Sequence, residues 1–221
     1  KYLSYRRKVV QVISNPIDTV LFSPGNRVDE IPYKIVFVGT VCEKKGVRQL
    51  IQVFQEVKPQ YISSTLDIYG RDWNFPDGRS YISELRKEFS ELQLDRIRFM
   101  GTIAHKELPN IYQSAAVCVF PSHMETQGLV APEAMAMEKL VIFSETGPGP
   151  ETIVDGETGF LINPYNASEI AEKIIFSFKN LEKTKIIGRN ARAAAVEKFG
   201  SEMILKKNLE FYQSLLKELE G

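Results

Sequence analysis

The segment Lys34-Ile-Val-Phe-Val-Gly39 decides the fold, because the run is apolar after its first residue and ends at a glycine. A strand that is buried on both faces of a parallel sheet has this pattern. Residues 46–57 follow, and their apolar side chains recur at helical spacing. Together the two segments predict one βα unit of a parallel sheet.

The same alternation of short apolar strands and amphipathic helices continues along the chain. Further strands are predicted at residues 9–13, 65–69, 97–100, 116–120, 140–143 and, near the sheet edge, 158–162. Further helices are predicted at residues 80–92, 105–113, 167–178, 181–199 and 202–219. The first of these helices would place Leu85, Phe89 and Leu92 on one face. Repeated βα units predict the α/β class, with a Rossmann-like, doubly wound parallel sheet flanked by helices in a single domain over residues 1–221.

The composition narrows the class of protein. The chain has 221 residues, of which 43% are hydrophobic and 25% charged, as in ordinary globular proteins. Lys+Arg and Asp+Glu both number 28, so no basic field favours a nucleic-acid partner. No apolar run approaches the roughly 20 residues that cross a bilayer, and no signal peptide is expected. Cys42 and Cys118 lie in apolar surroundings and are expected to be buried free thiols, which suits a reducing compartment.

The segment Glu125-Thr-Gln-Gly-Leu-Val-Ala-Pro-Glu133 carries the clearest chemical signal. It sets one carboxylate before a glycine turn and a second one inside the helix that is expected to follow. Free backbone amides at a helix N-terminus favour phosphate, and a carboxylate accepts hydrogen bonds from sugar or ribose hydroxyls. The segment is therefore predicted to hold a phosphorylated, hydroxyl-rich ligand.

Other loops should collect beside this segment, because ligands of open α/β sheets lie beyond the carboxyl ends of the strands. The loops that directly follow predicted strands span residues 39–46, 70–78, 101–105, 121–133 and 145–151. Lys44 and Lys45 precede a helix, where the dipole disfavours a cation. They are either partners of an anionic ligand or solvated lysines of a surface loop. Neither a G-x-G-x-x-G pattern nor a Walker signature is present, so no nicotinamide dinucleotide and no P-loop is indicated.

Some features of these loops admit a purely structural interpretation. The glycines and prolines of residues 145–151 form either a tight turn or a place where Gly147 and Gly149 expose amides to a ligand. We interpret His105 as a surface residue, and His123 as a neighbour of Glu125 without an assigned role. No His, Cys, Asp or Glu set has metal-ligand spacing, so no metal is predicted.

Four segments, in order and across almost the whole length, carry a family resemblance. They are Asn15-Pro-Ile-Asp18 with Phe22-Ser-Pro24, Phe37-Val-Gly39 with Lys45-Gly46, Val119-Phe-Pro-Ser122 with Glu125-x7-Glu133 and Ala134-Met-Ala136, and Thr146–Glu151 with Asp155-Gly156 and Gly159-Phe160-Leu161. The chain resembles the C-terminal, donor-binding domain of retaining glycosyltransferases with the GT-B fold (glycosyltransferase family 4, glycosyl transferases group 1). Each segment alone is a weak signal, and the ordered set is specific.

The resemblance implies roles for individual residues. Glu133 would accept hydrogen bonds from the ribose of a nucleotide sugar, and Glu125 would lie by the transferred sugar. Lys45 would neutralise the diphosphate and support the leaving group, so Glu125 and Lys45 are the implied catalytic residues. The implied donor-binding residues are Glu133, Gly39, Thr40, Gly128, Leu129 and Gly101. Thr40 departs from the family, which usually has arginine at that position.

The resemblance also implies an activity. A sugar would move from a UDP-, GDP- or ADP-sugar to a hydroxyl of a glycan or lipid-linked acceptor, in polysaccharide or glycolipid synthesis, without cofactor or metal. The family's N-terminal acceptor domain is absent from these residues, and the first residue is Lys1 rather than Met, so we expect a longer enzyme of hexosyltransferase type whose C-terminal half alone is inactive. The enzyme would be cytoplasmic, either free or peripheral to the inner membrane face through the absent domain. A non-catalytic, nucleotide-sugar-binding regulatory domain and a nucleotide-sugar epimerase are the alternatives.

Overall fold

The computed structural model describes residues 11–25 and 28–220, and its centre is a six-stranded sheet. The strands are β1 (Lys34–Val38), β2 (Thr65–Tyr69), β3 (Ile97–Gly101), β4 (Val117–Phe120), β5 (Val141–Ser144) and β6 (Phe160–Ile162). All neighbouring strands pair in parallel, in the order β3-β2-β1-β4-β5-β6. The order reverses between β1 and β4, and a crevice opens at such a reversal in this class of sheet.

Helices flank the sheet. They are α1 (Val47–Val57), α2 (Tyr81–Glu88), α3 (Glu91–Leu94), α4 (Leu108–Ser114), α5 (Val130–Ala136), α6 (Gly149–Thr152), α7 (Ala167–Lys179), α8 (Leu181–Phe199) and α9 (Ser201–Glu220). Two short 3-10 turns, Glu43–Lys45 and His105–Glu107, precede α1 and α4. Within the described ranges, none of the helices combines the length and the apolar character that a bilayer crossing requires.

The hydrophobic core surrounds the central strands. Every residue of β1, β4 and β5 is buried, so both faces of these strands are covered. The apolar face of helix α1, which includes Leu50 and Phe54, packs against the core. Burying an aliphatic or aromatic side chain contributes about 1.5–3 kcal/mol, so this face fixes the helix against the sheet. Cys42 and Cys118 are buried free thiols, as predicted, and burial raises the pKa of the Cys118 thiol to about 12.

The α/β class and the doubly wound sheet are confirmed, and six predicted strands appear with end shifts of at most two residues. For the strand predicted at residues 9–13, residues 9 and 10 lie outside the described residues, and residues 11–13 form no strand. The helix predicted at residues 80–92 is divided in two, because α2 ends at Glu88 and α3 begins at Glu91. Ser90 interrupts it by capping α3 through a reciprocal box with Gln93, and Leu92 is 78% exposed rather than on the buried face.

Candidate active site

A cleft of about 280 Å³ opens at the carboxyl ends of β1 and β4, where the strand order reverses. The predicted site residues that line it are Gly39, Lys45, Glu125, Gly128, Leu129 and Glu133. The predicted residues Thr40 and Gly101 are described but are not among its lining residues. The structure therefore brings together both implied catalytic residues and most of the implied donor-binding residues.

Close packing between two loops positions Lys45. Gly46 follows the 3-10 turn with φ +70°, and a Cβ atom there would overlap the backbone carbonyl of Pro121. The backbone N–H groups of His123 and Met124 donate to the carbonyl of Lys44 at 2.9 and 3.2 Å. The loop after β1 and the loop after β4 are thus tied to each other, and only glycine fits at their point of contact.

Lys45 and Glu125 meet across this contact. The Nζ atom of Lys45 forms an ion pair with Oε2 of Glu125, and the two side chains are 20% and 9% exposed. The backbone N–H of Thr126 donates to the other carboxylate oxygen of Glu125 at 3.1 Å. Gly128, with φ +67°, leaves room for Glu125, because a Cβ atom would lie 2.9 Å from its Cγ. The glycine of the motif is therefore required by the position of the first carboxylate.

Glu133 lies in the first turn of α5 at the base of the cleft, and its side chain is 7% exposed. The Nε2 atom of His105 lies 2.9 Å from its Oε1, and the hydroxyl of Tyr112 donates to its Oε2 at 3.3 Å. Burial raises the pKa of the Glu133 carboxyl, and the hydrogen bonds from His105 and Tyr112 offset only part of that effect. A buried carboxylate with unused lone pairs facing a cleft is suited to accept hydrogen bonds from hydroxyl groups.

His105 is a surface residue, as the sequence predicts, but it also contributes to the site. Its side chain is 62% exposed, yet it lines the cleft and contacts Glu133. The sequence signal that could have identified His105 as a site residue is its position just after β3, at the carboxyl edge of the sheet. Tyr112 gave no signal, because it lies on the buried face of α4 among apolar residues. His123 does not line the cleft and instead stacks on Tyr165 with ring centroids 4.5 Å apart.

The remaining loop features have structural explanations. Gly149 begins α6 directly against the carbonyl of Ser144, where a side chain would overlap it. Gly147 packs against the carbonyl of Glu125 with φ +63°. Neither glycine lines the cleft, so the tight-turn interpretation accounts for both. Among residues 11–25 and 28–220, no three His, Cys, Asp or Glu side chains are grouped so as to hold a metal ion.

The amides between the two carboxylates are available to a ligand. Gly128 and Leu129 accept backbone hydrogen bonds from Ala131 and Glu133 as α5 begins. In the described part of the chain, the N–H groups of Gly128 and Leu129 donate a hydrogen bond to no protein group. The cleft therefore combines free backbone donors, the ammonium group of Lys45 and, one helical turn after Leu129 along the chain, the carboxylate of Glu133.

A doubly wound sheet with a cleft at its reversal point is the architecture of one half of a GT-B fold, the fold class of many glycosyltransferases. The chain belongs to the family described as glycosyl transferases group 1, whose sequence profile matches residues 22–194.

Individual relatives agree with this family. The chain is 30% identical over 207 residues to the capsular polysaccharide biosynthesis glycosyltransferase CapM of Staphylococcus aureus, covering 89% of this chain and 52% of CapM. It is similar to the structure of sucrose-phosphate synthase from Thermosynechococcus elongatus, with TM-score 0.80, 28% identity and coverage of 94% and 53%. It is also similar to the C-terminal domain of LpcC, a glycosyl transferase group 1 family protein from Francisella tularensis, with TM-score 0.71, 26% identity and coverage of 84% and 99%. The chain thus spans about half the length of CapM and of the sucrose-phosphate synthase.

Proposed function

We propose that this chain is the donor-binding domain of a retaining glycosyltransferase that uses a UDP-, GDP- or ADP-sugar. The observation that carries the proposal is that one cleft is lined by the Lys45–Glu125 ion pair, by the buried Glu133 and by Gly128 and Leu129, whose amides are free among the described residues. A nucleotide sugar has the matching sequence of groups, namely a sugar, a diphosphate and a ribose.

Each part of the cleft has a task in this proposal. Glu133 accepts hydrogen bonds from the ribose hydroxyls, since an ionised carboxylate offers about four lone-pair sites and His105 and Tyr112 use two of them. Lys45 and the amides of Gly128 and Leu129 hold the diphosphate. Glu125, which is paired with Lys45, is assigned to the transferred sugar next to the diphosphate.

The transfer breaks the bond between the anomeric carbon and the diphosphate oxygen and forms a bond from that carbon to an acceptor oxygen. The proton of the acceptor hydroxyl leaves with the nucleoside diphosphate. Negative charge develops on the leaving diphosphate, and the ammonium group of Lys45 is placed to stabilise it. Neither a cofactor nor a metal takes part in this scheme.

The acceptor class is inferred from relatives. CapM is described as an enzyme of capsular polysaccharide biosynthesis, which favours a glycan or lipid-linked acceptor and a role in polysaccharide or glycolipid synthesis. We place the acceptor site in an N-terminal domain outside these residues, so the chain alone would bind donor without hexosyl transfer. The enzyme would work in the cytoplasm, free or peripheral to the inner membrane face, and would have no nucleic-acid partner.

Thr40 favours one alternative, a non-catalytic domain that binds a nucleotide sugar for regulation. A neutral residue stands where the family usually has arginine, and it does not line the cleft. Release of nucleoside diphosphate by the complete enzyme with acceptor present separates the two functions, because only the transferase consumes donor.

Thermal unfolding of this chain with UDP, GDP and ADP tests the shared part of both functions. A ligand that binds only the native state stabilises it by about 2.7 kcal/mol at one hundred times its Kd. We expect one of the three nucleotides to raise Tm, and Lys45→Ala to reduce the shift. Unchanged Tm with all three at millimolar concentration would remove the main support for the proposal.

A further inference from the structure

Two side chains of the protein hold the carboxylate of Glu133. His105 contacts Oε1 at 2.9 Å, and Tyr112 donates to Oε2 through a longer hydrogen bond of 3.3 Å. Tyr112 is fully buried, whereas the side chain of His105 is 62% exposed and lines the cleft. The shorter contact thus comes from the residue that a ligand could also reach.

His105 is itself fixed by a buried aromatic residue. Its ring forms a T-shaped contact with the ring of Phe22, with centroids 5.1 Å apart and an angle of 74° between the ring planes. Phe22 has no exposed surface, and its ring also packs against Tyr112 at 6.1 Å. An exposed histidine would ordinarily sample several rotamers, so this packing restricts the direction of its Nε2 atom.

A third contact joins this arrangement to the helix that carries Glu133. Nη1 of Arg192, in α8, donates to the carbonyl of Phe22 at 3.2 Å and also to the carbonyl of Ala136 at the end of α5. Gly188, one turn earlier in α8, packs directly on the carbonyl of Glu138, where a side chain would overlap it. Helix α8 therefore sets Phe22 and α5 in a fixed relation to each other.

We propose that His105 is a positioning residue for nucleotide binding: it holds Oε1 of Glu133 so that the free lone pairs of the carboxylate face the ribose hydroxyls. This role rests on the proposed donor-binding function. A glutamate has rotamer freedom that costs free energy when a ligand immobilises it, and a partner that fixes the rotamer in advance removes that cost. His105 acts through Glu133 rather than on the sugar that is transferred.

The role predicts an effect that depends on the ribose hydroxyls. For whichever of UDP, GDP and ADP binds tightest, His105→Ala should raise Kd about fivefold to tenfold, and His105→Gln should restore part of the affinity because its amide N–H can reach Glu133. The 2′,3′-dideoxy form of the same nucleotide should bind both variants as it binds the unsubstituted chain, within about twofold. Lys106→Ala is the matched control, since Lys106 is exposed on the same 3-10 turn and does not line the cleft.

A double-mutant cycle completes the test. If His105 acts through Glu133, then adding His105→Ala to Glu133→Ala should change Kd less than twofold. Equal losses for the ordinary and the dideoxy nucleotide, or additive losses in the double variant, would overturn the positioning role and leave donor binding intact. Absence of binding of all three nucleotides to the unsubstituted chain would instead overturn the proposed function, and the positioning role with it.

Discussion

Lys45 and Glu125 form an ion pair although they are 80 positions apart, because the strands that precede them, β1 and β4, are neighbours in the sheet. Both side chains are mostly buried, at 20% and 9% exposure. Lys45, which is proposed to bind the diphosphate, is thus already paired with Glu125, which is proposed to lie by the transferred sugar. A diphosphate that enters the cleft must compete with Glu125 for the ammonium group.

This competition predicts opposite effects for the two partners. Glu125→Gln removes a negative charge and frees Lys45, so UDP and inorganic pyrophosphate should both bind more tightly, by about 1 kcal/mol or about fivefold. Lys45→Ala should weaken both by a similar factor. Calorimetric titration of each variant measures the change.

Lys44→Ala is the matched control for this pair. Lys44 lies next to Lys45 in sequence but lines a separate cleft with Cys42, Glu43 and Trp73. Removing the charge of Lys44 should change pyrophosphate affinity only slightly, because salt screens the attraction between charges that are not in contact. Weaker pyrophosphate binding by Glu125→Gln, or equal losses for the two lysine variants, would contradict the competition.

The raised pKa of Glu133 predicts a pH dependence of stability. The native state retains this proton to a higher pH than the unfolded state, whose carboxyl titrates near the ordinary value of 4.5. Since the native state then binds more protons, the contribution of Glu133 to the free energy of unfolding falls as pH rises from the unfolded toward the native pKa. The Glu133→Gln variant does not undergo this pH-dependent loss of stability. Above that interval, its free energy of unfolding relative to the unsubstituted chain should therefore rise by about 1.4 kcal/mol for each unit by which the native pKa exceeds the unfolded pKa.

Urea unfolding at intervals from pH 4 to 7.5 measures the difference between the two chains. The difference should increase with pH and then become constant. The same comparison in a His105→Gln background removes the imidazole that contacts Glu133 and should retain the direction of the effect. A difference that does not vary with pH would show that Glu133 ionises normally in the native protein.

Gly46 and Gly156 provide a test of the contact between the two loops. Both have positive φ, 70° and 76°, but a Cβ atom would overlap the Pro121 carbonyl at Gly46 and would meet nothing within 4 Å at Gly156. Both alanine variants should lose about 1 kcal/mol to backbone strain, and Gly46→Ala should lose about 1–3 kcal/mol more through overpacking. Denaturant unfolding distinguishes the variants, and equal losses would mean that the loops can separate without cost.

The six observed strands could be predicted from the sequence because each is a short, mostly apolar run, and β1, β2 and β3 end at or directly before a glycine. The motif carboxylates could be predicted because their spacing is local as well. The contact between His105 and Glu133 spans 28 positions, and the one between Arg192 and Phe22 spans 170, so neither leaves a local pattern. The interruption at Ser90 was missed because its capping box competes with a helical periodicity that continues through it.

Calorimetric titration of this chain with UDP, GDP and ADP tests the central claim, that the cleft binds a donor nucleotide through Glu133. We predict that one of the three binds with a stoichiometry near one and a Kd below about 1 mM, which corresponds to about −4 kcal/mol. Glu133→Ala should weaken that binding by about 1–3 kcal/mol through lost hydrogen bonds to the ribose. No binding of any of the three at millimolar concentration, or an affinity that Glu133→Ala leaves unchanged, would contradict the account.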